Sequence, residues 1–81
     1  MTKDQIFRAL KKNTLNVLLD LDERQIKLDD SLKELGANSI DRASIIVDTL
    51  SDLNIKMSLV EAAKATNIAE LVDVLYRFGP Q

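Results

Sequence analysis

With 81 residues, 46% of them apolar and 30% charged, the chain has the size and composition of one folded domain, residues 1–81, built on an aliphatic core. It holds no histidine and no cysteine, which excludes Ser–His and Cys–His nucleophilic pairs, disulfides and the usual zinc sites and removes the commonest general base, so no enzyme is expected. A net charge of −2 with no aromatic platform argues against nucleic acid; no apolar run is long enough to span a membrane, and a cytoplasmic, free-standing chain is expected from the polar start "MTKDQIFRAL".

Two glycines and one proline point to a helical protein, and four helices are predicted. The first spans about Lys3 to Leu19: Ile6, Phe7, Leu10, Thr14, Val17, Leu18 and Leu21 share one face at helical spacing, and Thr2 with Gln5 forms a capping box. A long connection follows over residues 20–38, pinned by Ile26, Leu28, Leu32 and Leu35, with "SLKEL" spaced for a helical turn between Ser31 and Glu34. Loops of this length are uncommon in compact domains unless they are functional or disordered, and the regular apolar pins argue against disorder. Its acids Asp20, Asp22, Glu23, Asp29 and Asp30 lack the glycine and terminal glutamate spacing of a calcium loop, so a solvated acidic loop and no metal site are expected.

The second helix is predicted from Ser39 to Leu53 and the third, short, from Leu59 to Ala65, with Ser58 and Glu61 in capping spacing. Met57 and Leu59 are expected to close the core. The fourth helix runs from Ile68 to Arg77, capped by Asn67 and stopped by Gly79-Pro80, with Ile68, Leu71, Val72 and Leu75 on one face. Tyr76 and Phe78 are expected to pack over the end of the bundle.

The second helix carries two apolar arcs. Ile45, Ile46, Thr49 and Leu53 make one; Ile40, Ala43 and Val47 make the other; Leu50 lies between them. A surface helix ordinarily needs one stripe. Either the helix is central and packed from two sides, or the second arc lines a cavity or meets a partner.

At the start of this helix stands Ser39. Helix N-termini leave N–H groups unpaired and carry partial positive charge, so a phosphate esterified to this hydroxyl is stabilised there. Gly36 gives the chain freedom to turn, and the small Ala37 and Asn38 leave the hydroxyl accessible. An ordinary N-cap at Ser39 or Asn38 accounts for the same residues.

"SLKELGANSIDRASIIVDTL" resembles the modification site of acyl carrier proteins, in which a Leu-Gly pair, two residues, then Ser and an apolar residue open the second helix; Leu35, Gly36, Ser39 and Ile40 fill those places. "TNIAELVDVLYRF" is similar to the family's fourth helix, with Asn67 inserted between Thr66 and Ile68. The resemblance covers essentially the whole chain and implies an all-α four-helix bundle of acyl-carrier type, with a long loop between the first two helices and a short third helix. It implies 4′-phosphopantetheine attached at Ser39 by a separate phosphopantetheinyl transferase, with acyl groups carried on the arm as thioesters. That supplies the reactive sulfur the chain lacks. It also implies partner contact through the second helix, at Ile40, Asp41, Arg42, Ala43 and Val47.

Departures narrow the group. The family's usual Asp before the serine is Asn38, its Leu after is Ile40, and Arg42, Ala43, Ser44 and Val47 stand where fatty-acid carriers tend to show more acids. "GANSIDRAS" and "NIAELVDVL" resemble free-standing carriers of bacterial polyketide pathways that install β-branches. That resemblance implies an acyltransferase, a ketosynthase-like decarboxylase that turns malonyl into acetyl, and a synthase like hydroxymethylglutaryl-CoA synthase as partners of a monomeric carrier. Acceptor carriers of such pathways often have a Trp in this helix, and this chain has none. A peptidyl carrier and an unmodified helical interaction module stand as alternatives; Ala37-Asn38 does not fit the two glycines that peptidyl carriers typically show.

Overall fold

The computed structural model describes residues 1–79. Four helices appear in order: α1 (Lys3–Val17), α2 (Ser39–Asp52), α3 (Leu59–Ala63) and α4 (Ile68–Phe78), with a 3₁₀ turn at Glu23–Gln25 inside the long connection. No strand occurs among the described residues. The expected stop at Pro80 lies outside them.

Each helix starts where a side chain can take up an otherwise unpaired N–H. Thr2 accepts from Gln5 and donates its own N–H back to the Gln5 side chain at 2.8 Å. Ser58 accepts from Glu61, and Asn67 from Glu70. Ile6, Leu10, Ile45, Ile46, Leu50, Ile68, Leu71, Val72 and Leu75 bury their side chains in one core. Each such side chain contributes about 1.5–3 kcal/mol of burial.

The connection between α1 and α2 is ordered by backbone as much as by side chains. Ile26 and Leu32 are buried and Leu35 packs against the core. Leu28, expected as a pin, is exposed; its carbonyl is what holds, accepting the Ala69 N–H at 2.8 Å while the Asp30 carbonyl accepts from Ile68 at 2.9 Å. The loop thereby satisfies the first two N–H groups of α4. The Ser31–Glu34 turn forms, with Glu34 N–H donating to the Ser31 hydroxyl at 3.0 Å. It closes on Gly36 at φ +112°, with Gly36 N–H to Lys33 and Ala37 N–H to Leu32. This is a glycine-terminated helical cap, and the left-handed position needs the missing side chain. Asn54, at φ 54°, ends α2 in the same way, bringing Ile55 N–H onto the Leu50 carbonyl.

Three further expectations need correction. First, α1 ends at Val17: Leu18 leaves the helical conformation and packs on the core, and the turn closed by Leu21 on Leu18 carries Leu19 into solvent. Second, α2 and α3 stop at Asp52 and Ala63, α3 tightening through 3₁₀-type bonds from Lys64 to Glu61 and Ala65 to Ala62. Third, α4 continues to Phe78, whose side chain is exposed and does not pack over the end of the bundle. Tyr76 does pack on the core, under the Lys3 ammonium. Ala37 is buried, and Ser39 beyond it is exposed.

Met57 and Leu59 pack against the core as expected. Between α1 and α2 runs a polar bridge, buried at Asn13 and Thr49 and open to solvent at Asp52. Asn13 donates to the Thr49 hydroxyl at 3.0 Å and to the Asp52 carboxylate at 3.1 Å, and Lys12 pairs with the same carboxylate. The Asn13 hydrogen bond, and after it Lys12, holds the Asp52 carboxyl below its ordinary pKa.

Candidate functional site: the first turn of α2

The cap of α2 is Asn38. Its side-chain oxygen accepts the Asp41 N–H at 2.7 Å, and the Asp41 carboxylate accepts the Asn38 N–H at 3.3 Å. Ser39 is thus the first helical residue, exposed, with its hydroxyl not used to cap. Among the described residues nothing accepts the N–H groups of Ser39 and Ile40. The hydroxyl stands at the positive end of the helix beside two open donors, an arrangement that favours an anion on its oxygen.

Arg42 lies one turn on. One amino group donates to the Ala37 carbonyl at 2.8 Å, and the other is 3.5 Å from the Ser39 oxygen. Buried Ala37 fixes this anchor, which composition and spacing did not reveal because it depends on the fold of the preceding turn.

The two arcs of α2 separate. Ile45, Ile46, Thr49 and Leu50 are buried, and Leu53 packs partly against the core. On the other arc Ile40 is 80% exposed and Val47 is 47% exposed; Ala43 is half-buried. Of the five residues expected to meet a partner, Ile40 and Val47 stand out as unpartnered apolar groups. Asp41 turns its carboxylate back to its own cap, and Arg42 turns towards Ser39.

Beside Ser39 opens a cavity of about 570 Å³ between α2, α3 and the start of α4, its walls including Arg42, Ala43, Ile46, Val60, Ala62 and Leu71. Lys33, Thr66 and Asn67 also border it; the sequence marked Asn67 as a helix cap, and none of the three as part of a site. An exposed serine at a helix N-terminus, a facing cation and an adjoining, mainly apolar recess fit the phosphate end of a pantetheine arm. Arg42 and the N–H groups of Ser39 and Ile40 are the groups that would hold it.

Comparison with known proteins agrees. Residues 12–75 match the phosphopantetheine attachment site family. The chain is 45% identical over 76 residues to the polyketide biosynthesis acyl carrier protein AcpK of Bacillus subtilis (strain 168), covering 94% of this chain and 93% of that protein. It also matches a chain in the crystal structure of the curacin biosynthetic pathway HMG synthase in complex with acetyl donor-ACP, with a TM-score of 0.84 and 38% identity, over 94% of this chain and 96% of that one. Two chains that cover each other so fully are of nearly equal length, so the match is to the carrier of that complex. The chain belongs to the acyl carrier proteins of polyketide biosynthesis, which are carriers and not catalysts and bear covalent 4′-phosphopantetheine.

Proposed function

We propose that Ser39 is the attachment point of the arm and that the chain, one carrier unit over its 81 residues, donates acetyl groups to an enzyme like hydroxymethylglutaryl-CoA synthase. The exposed, non-capping hydroxyl of Ser39 at the start of α2 carries the first half of this reading. The likeness to the carrier held by the curacin HMG synthase supports the second. Ile40, Ala43 and Val47 offer an apolar face next to the attachment point, with Asp41 and Arg42 at its edge.

The bound arm supplies a thiol that holds the acyl group as a thioester. The chain's own contribution is to keep the serine oxygen open, balance the charge of its phosphate and present α2 to one enzyme after another. A phosphopantetheinyl transferase loads the arm, an acyltransferase delivers malonyl, and a ketosynthase-like decarboxylase releases carbon dioxide to leave acetyl. The carrier works as a monomer in the cytoplasm, and no helix among the described residues is long and apolar enough to cross a membrane.

Intact-mass measurement on the loaded protein tests the donor role. Malonyl-loaded carrier should lose carbon dioxide with the decarboxylase, then lose acetyl to the synthase-like enzyme. A carrier that accepts only aminoacyl groups from an adenylating enzyme is a peptidyl carrier and contradicts the proposal.

A further inference from the structure

We infer that Arg42 is the phosphate-positioning residue of this carrier: its guanidinium holds the phosphodiester on Ser39 and so directs the arm away from the helix end. The inference rests on Ser39 as the attachment point. Arg42 is tethered, since Nη1 donates to the Ala37 carbonyl at 2.8 Å and Ala37 is itself buried. The tether leaves Nη2 aimed at the serine oxygen, 3.5 Å away. That separation is long for a hydrogen bond to a hydroxyl, but it puts Nη2 within reach of the charged non-bridging oxygens that a phosphorus bonded to this oxygen would carry, a geometry the planar fork of an arginine matches.

The charge balance around the serine points the same way. Among the described residues no carboxylate is seen to pair with Arg42 or with the exposed Arg77 at the far end of α4, whereas Arg8 pairs with Asp4 and Arg24 with Asp22; of the two, only Arg42 is half-buried and faces Ser39. The nearest acid in sequence, Asp41, is committed to the Asn38 N–H. Asn38 is neutral, so it does not repel an anion as an aspartate would. A half-buried cation without a carboxylate, next to the one hydroxyl that receives a phosphate, is balanced when that phosphate arrives.

The chain co-produced with a broad-specificity phosphopantetheinyl transferase provides the test, by intact mass, proton–nitrogen NMR of the arginine side chains and phosphorus NMR. On loading, the Arg42 guanidinium signals should shift and their hydrogen exchange slow by roughly two- to fivefold, the range of a surface ion pair, while those of Arg8 and Arg24 stay in place. Arg42→Gln should displace the phosphorus signal, Arg42→Lys should restore it in part, and Lys33→Gln, on the same cavity, should leave it unchanged. The comparison of unloaded and loaded wild-type protein needs no variant to fold. A chain that gains no phosphopantetheine overturns the Ser39 assignment and this inference with it. A loaded chain with unmoved Arg42 signals, or equal effects of Arg42→Gln and Lys33→Gln, overturns this inference alone and marks Arg42 as a contact for an acidic partner.

Discussion

Asn38 and Asp41 bind each other twice, the Asn38 side chain accepting the Asp41 N–H at 2.7 Å and the Asp41 carboxylate accepting the Asn38 N–H at 3.3 Å. This reciprocal pair caps α2 without help from its neighbour. The consequence is a separation of tasks along three residues: Asn38 and Asp41 hold the helix end, and Ser39 between them stays open for chemistry.

Ser39→Ala should therefore fold as the wild type does, with a stability change within about 0.5 kcal/mol, as for surface sites away from special features. Thermal or urea unfolding checks this. Asn38→Ala should cost about 1 kcal/mol, the worth of an N-cap, while Asn38→Asp keeps the cap and places a second negative charge beside the serine. Loading of Asn38→Asp should continue, since its side chain still accepts the Asp41 N–H.

The Asn13 bridge makes a pH-dependent prediction. The Asp52 carboxyl has a lowered pKa in the folded chain, so its contribution to stability is full above the ordinary aspartate value and is lost as the pH falls through the lowered one. Asn13→Ala removes the largest cause of that shift. Urea unfolding at neutral and acidic pH should show the variant less stable at neutral pH, by about 1–3 kcal/mol for a broken buried polar contact. The gap should narrow at the acid end.

Val47 stands 47% exposed on the outer arc of α2. Val47→Glu should stay folded and accept the arm, yet slow acyl transfer to the synthase-like partner by about tenfold, the loss of ~1.4 kcal/mol expected for a contact residue. Circular dichroism and transfer kinetics check the two halves. Unfolding of this variant places Val47 in the core.

Helix N-termini normally exchange amide hydrogens quickly. Ile68 and Ala69 open α4, yet their N–H groups donate to Asp30 and Leu28 in the long connection. Hydrogen exchange should show both protected well above the Ser39 and Ile40 amides, which open α2 with no acceptor among the described residues.

Local signals were legible in the sequence. The capping pairs Thr2–Gln5 and Asn67–Glu70 mark the starts of α1 and α4, and Ile68, Leu71, Val72 and Leu75 are all buried, because each is decided within a few residues. The two arcs of α2 were legible too; periodicity left open which one faces outward, since that is set by α1 and α3, and only the family resemblance put Ile40, Ala43 and Val47 on the partner side. Features made by distant approach escaped: Asn13 meets Thr49 across 36 positions, Leu28 contributes its carbonyl and not its side chain, and Ala37 is buried as the anchor of Arg42. The family itself was readable because Leu35, Gly36, Ser39 and Ile40 lie within six positions and form one turn and one helix start.

Fragment mass spectrometry of the protein co-produced with a phosphopantetheinyl transferase tests the central claim most directly. The account predicts one phosphopantetheine, localised to the peptide at Ser39, and none in Ser39→Ala. An arm found on Ser31, Ser44, Ser51 or Ser58, or a chain left bare by a transferase that loads other carriers in the same cells, contradicts it.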